Sequence, residues 1–105
     1  MITITANAAA QIRTSAKDQH LEGLALRVAA QRLADGTLHY AMGFDEADTT
    51  KDLSFNAEGI EVIISPVSLE LIKGTTIDYV EMDGDKFEFI FMNPNDPAYQ
   101  APTEE

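Results

Sequence analysis

The stretch from Gly74 to Asn95, GTTIDYVEMDGDKFEFIFMNPN, limits what this chain can fold into more than any other. Ile77 and Tyr79 recur at every second position in its first half, and Phe87, Phe89 and Phe91 do so in its second. A period of two gives each half one apolar face, the pattern of a half-buried strand. Asp83-Gly84 lies between the halves, so they are expected to turn back on each other as an antiparallel hairpin. An isolated hairpin is not stable in water, so the core is expected to be built on this aromatic face. A two-residue loop at Asp83-Gly84 would set Asp78 opposite Phe89, a poor pair. A three-residue loop, Met82-Asp83-Gly84 with Gly84 left-handed, sets Ile77 opposite Phe89 and Tyr79 opposite Phe87. That bulged register is the one expected. A slip of one residue would turn the whole face to solvent.

The rest of the chain supplies the cover. Ile2 to Thr5 is a short β-branched strand. Ala6 to Asp18 reads as a helix capped by Thr5 or Asn7, with Ala8, Ala9, Ile12 and Ala16 on one narrow stripe. Such small residues would let the helix sit close to a sheet. Leu24 to Gln31 and Thr37 to Asp45 alternate and flank the turn dipeptide Asp35-Gly36, so they form a second hairpin. Asp45 to Asp52 carries four carboxylates but lacks the Gly and closing Glu of a calcium loop, and is expected to be a solvated connection. Leu53 to Phe55 and Ile60 to Ile64 read as strands, with a turn at Ala57-Glu58-Gly59. Ser65-Pro66 opens a short helix whose apolar side is Val67, Leu69, Leu71 and Ile72, and Gly74 ends it. The reading is a mostly β chain with two short helices (α+β). Residues 1–95 form one domain and residues 96–105, DPAYQAPTEE, a flexible C-terminal tail.

Composition excludes several functions. A length of 105 residues suits one small core. No apolar run approaches the roughly 20 residues that cross a bilayer, and MITITANAAA lacks the marks of a signal peptide, so a cytoplasmic location is expected. Seven basic against 18 acidic side chains leave a net charge of -11. Nucleic acid and anionic membrane surfaces are therefore not expected partners, because no basic stripe is present to replace counterions. There is no cysteine. That excludes disulfides, thiol catalysis and thiolate metal sites together. No G-x-S-x-G elbow or Gly-rich phosphate loop occurs either, and no enzyme is expected.

The order of segments resembles the HesB/IscA family, the A-type iron–sulfur cluster carriers. The resemblance runs over nearly the whole chain. It is carried by Ile-Thr-Ile-Thr before an Ala-rich helix, by Gly23-Leu24-Ala25-Leu26-Arg27-Val28, and by Tyr40 and Phe44-Asp45-Glu46. It continues through Gly59 to Ile64, Ser68-Leu69, Gly74, Ile77 to Val80, Phe89-Ile90-Phe91 and Asn93-Pro94-Asn95. It implies a compact β-sandwich with two helices packed on it. It also implies one cysteine in the turn of the first hairpin and a Cys-Gly-Cys in the C-terminal tail, soft thiolate donors suited to iron. In this sequence those positions fall at or beside Asp35 and at Gln100 and Pro102, so the family's cluster site is absent and no cofactor or metal site is expected. What remains is a role as an accessory or interaction protein among the protein partners of iron–sulfur assembly. Two alternatives stay open. One is a metal site of carboxylates and imidazole, from Asp35, His39 and tail or loop carboxylates, with His20 the only other histidine. The other is a structural module that forms a homo-oligomer through its strand edges or hairpin face.

Overall fold

Helix α1, Ala6–Asp18, begins where Thr5 leaves the extended conformation and its hydroxyl accepts from the Ala8 N–H at 3.1 Å. The cap satisfies one of the free donors at a helix start. The same hydroxyl donates to Asp78 at 2.6 Å, so the cap is tied to a strand 73 residues away. The buried residues of α1 are Ala8, Ala9, Ile12 and Ala16, the stripe read from the sequence. The computed structural model describes residues 2–48, 50–82 and 84–96.

Among the described residues the chain forms seven strands. They are β1 (Thr3–Ile4), β2 (Ala25–Arg32), β3 (Leu38–Asp45), β4 (Leu53–Ala57), β5 (Ile60–Ile64), β6 (Thr76–Glu81) and β7 (Phe87–Met92). A second helix, α2 (Pro66–Ile72), lies between β5 and β6. The strands form two mixed sheets, a three-stranded one ordered β1-β6-β7 and a four-stranded one ordered β3-β2-β5-β4. Within them β1 runs parallel to β6 and β2 parallel to β5, while the hairpins are antiparallel.

The core lies between the sheets and under α1. Ile4 and Ile77 come from the first sheet, Leu26, Val28, Val62 and Ile64 from the second, and Ile12 and Ile72 from the helices. Burying a side chain of this size is worth about 1.5–3 kcal/mol, which makes this cluster the main stabilising term. Two turns depend on positive φ. The two-residue β4–β5 loop has Glu58 at 52° and Gly59 at 80°, the pattern of a type I′ turn, and Arg13 of α1 donates to the Glu58 carbonyl. Gly74, at 86°, ends the α2 segment.

Two expectations are corrected. The β6–β7 register pairs Ile77 with Phe91 and Tyr79 with Phe89, two positions from the expected one. The Met82 N–H donates to the Lys86 carbonyl at 2.6 Å, so the loop is centred on Gly84, which has φ 64°. Asp83 lies outside the described residues. A slip of two keeps every side chain on its face, so the aromatic pattern could not separate the two registers. Val67 is 74% exposed and belongs to the solvated side of α2. There the buried positions are Ser68 and Ile72, with Leu69 and Leu71 packed at the margin of the core. The expected tail, apart from Asp96, also lies outside the described residues.

Candidate functional site

Asp35 stands at the tip of the β2–β3 hairpin. Its carboxylate accepts from the Thr37 N–H at 3.0 Å and the Thr37 hydroxyl at 2.6 Å. These bonds, the hydroxyl first, hold its pKa below the usual carboxylate range. Side chain and backbone together make an Asx-type turn, with Gly36 at φ 90° completing it. The carboxylate is thus engaged in its own turn.

The imidazoles do not join it. His39 is exposed on β3 opposite Gln31, and His20 follows α1 with φ 60°. Among the described residues no group of three or more His, Cys, Asp or Glu side chains is placed to hold a metal ion. Gln100 and Pro102 lie outside the described residues.

The acidic loop after β3 is more than a solvated connection. Arg27 on β2 donates through Nε to Asp45 at 2.8 Å, and through Nη1 and Nη2 to the two oxygens of Asp52 at 2.8 and 2.7 Å. The Asp52 side chain is only 4% exposed. It also accepts the Asp48 N–H at 2.8 Å. A bidentate guanidinium–carboxylate pair fixes direction as well as distance, so both ends of the loop are pinned to the sheet. Arg27 holds Asp52 down to about 2, aided by the Asp48 amide, and lowers Asp45 as well.

A second constellation sits where the described chain ends. Tyr40 of β3 stacks on Phe91 of β7 with ring centroids 4.6 Å apart and planes within 4°. Its hydroxyl donates to Asp96 at 2.5 Å. Burial, followed by the bond to Asp96, pushes the phenol up to about 12. Asn93 is fully buried and donates to the Leu71 carbonyl at 2.9 Å. Its own oxygen accepts the Asn95 N–H at 2.9 Å, and Asn95 donates to the Lys73 carbonyl at 2.9 Å. Asn93-Pro94-Asn95 therefore caps the free carbonyls at the end of α2 and directs the chain toward Tyr40. The sequence marked this tripeptide and Tyr40 by resemblance, but neither Asp96 nor the Arg27 clamp was singled out. Their partners are 56 and 25 residues apart, beyond any local pattern.

The chain is similar to known proteins. The sequence fits the family described as iron–sulphur cluster biosynthesis over residues 1–101. It is 33% identical over 95 residues to the iron–sulfur cluster insertion protein ErpA of Xylella fastidiosa, covering 90% of this chain and 73% of that one. It is 36% identical over 78 residues to the protein SufA of Bacillus subtilis, covering 74% of this chain and 65% of that one. The chain belongs to this family, the HesB/IscA or A-type carrier group. Solved structures agree on the fold. Escherichia coli SufA, involved in biosynthesis of iron–sulfur clusters, superposes with a TM-score of 0.75 at 24% identity over 95% of this chain and 86% of that one. IscA with a [2Fe-2S] cluster gives 0.70 at 24% identity over 90% and 84%.

Two outcomes are expected from this geometry. Asp52 has a native acidity near 2 against about 4 unfolded, so its contribution is complete above about pH 4 and is lost as pH falls toward 2. Urea unfolding followed between pH 6 and pH 2 should therefore show stability falling with acid, and Asp52→Asn should show a shallower fall. Asn93→Ala should cost about 1–3 kcal/mol in the same assay, because it removes a buried side chain and leaves the part-buried Leu71 carbonyl without that donor.

Proposed function

We propose that this chain is an iron–sulfur assembly protein that keeps the carrier scaffold but does not itself ligate a cluster. It serves an accessory or interaction role in the cytoplasm and performs no catalysis. Its family relatives are insertion and assembly proteins, which supports the pathway. No helix is long and apolar enough to cross a membrane among the described residues.

The observation that carries the loss of ligation is the turn of the first hairpin. The family's thiolate position falls at or beside Asp35, and that carboxylate is held by Thr37. The two tail positions, Gln100 and Pro102, offer a neutral amide and no donor. A cluster needs several soft, charged ligands converging, and the chain has no thiol anywhere. What persists is the framework around them, from the cap on α2 to the Tyr40–Phe91 stack.

Anaerobic reconstitution with iron and sulfide tests the reading. The protein should emerge from desalting without the visible absorption of a cluster and with iron well below one atom per chain. A stable, stoichiometric cluster would overturn it.

A further inference from the structure

β3 is the last strand of its sheet, and β7 is the last strand of the other. The two edges meet at the Tyr40–Phe91 stack. Beyond that closed point a cleft of about 400 Å³ opens, lined by Met42 and Phe44 of β3, Phe89 of β7, and Ile12 and Leu26 at its base. Ser15, Gln19, Leu21 and Gly43 complete the lining, so no charged side chain enters it.

The backbone of β3 is arranged for pairing. The Leu33 N–H donates to the Thr37 carbonyl at 2.8 Å, which makes Leu33–Thr37 a hydrogen-bonded pair. The alternation of an antiparallel ladder then aims the N–H and C=O groups of residues 39, 41 and 43 at β2. Those of Leu38, Tyr40, Met42 and Phe44 face the open edge. The strand is eight residues long and carries no proline or lysine. Natural edge strands are usually blunted by such residues, by bulges or by brevity. The residues alternating on its solvent side, His39, Ala41 and Gly43, leave the approach uncrowded.

Charge selects the occupant. The chain carries seven Lys and Arg against 18 Asp and Glu, and Arg27 is already paired with Asp45 and Asp52. A second copy would bring another charge of -11 and a β3 with no lysine or arginine. We infer that the β3 edge is a docking site for an extended, basic-flanked segment of a partner protein, which adds a strand to the sheet and seats an apolar side chain between Met42, Phe44 and Phe89. Main-chain bonds supply affinity, the cleft supplies choice of side chain, and the chain's net negative charge steers the encounter. This rests on the interaction role proposed above. It is tested separately from cluster ligation, so either reading can fail alone.

The probe is the capped peptide Lys-Thr-Phe-Thr-Leu-Thr-Lys, titrated into the isotope-labelled chain and followed by amide NMR shifts. Saturable shifts are expected at residues 38–45 and at Phe89, weakening as salt rises. Replacing both end lysines by glutamate, or the central threonine by proline, should each weaken binding about ten-fold or more. Phe89→Ala, checked for folding by circular dichroism, should weaken the parent peptide similarly. The proposal is overturned if no saturable shift appears, if the three peptides bind alike, or if the shifts map elsewhere. It is equally overturned if sedimentation shows a dimer and the amide shifts that change on dilution map to residues 38–45. Binding that appears only after residues 97–105 are removed would assign the edge to this chain's own terminus and would also overturn it.

Discussion

The close packing of α1 on the core that both sheets share is the constraint on which the structure depends. The sheets share no strand, so something must hold them at a fixed spacing. Ala8 and Ala9 are essentially without exposed surface, and Ile12 packs with Leu26 of one sheet while the helix cap is bonded to Asp78 of the other. Larger residues at the alanines would overpack the joint and force the sheets apart. Once that spacing is set, the Tyr40–Phe91 stack can close one end of the edge while the other stays open.

Where the sequence was legible, one element carried its own signal. The α1 stripe, the first hairpin around Asp35-Gly36 and the Ser65-Pro66 helix start all follow from local rules, because cap, period and turn lie within a few residues. The β6–β7 register did not, since two registers two residues apart bury the same aromatics and only the loop separates them. Val67 was misplaced because a helix of seven residues gives too short a pattern to fix its buried face. The acidic loop looked solvated because its cation, Arg27, arrives from β2. Asp35 could be located in its turn from sequence, whereas its commitment to Thr37 needed coordinates.

These observations separate scaffold from cargo chemistry. The residues that orient the carrier framework are engaged: Asn93 and Asn95 on α2, Tyr40 on Asp96, Arg27 across the loop. The cysteines that the family resemblance implies are absent from the whole chain. A polar network of this kind is costly when half satisfied, so its completeness stabilises the framework.

The central claim, an intact scaffold without ligands, is tested most directly by restoring the ligands. The triple variant Asp35→Cys, Gln100→Cys, Pro102→Cys, reconstituted anaerobically beside the parent chain, should acquire iron, sulfide and visible absorption that the parent lacks. A folded triple variant that stays colourless, or a parent chain that takes up cluster equally well, would contradict the account.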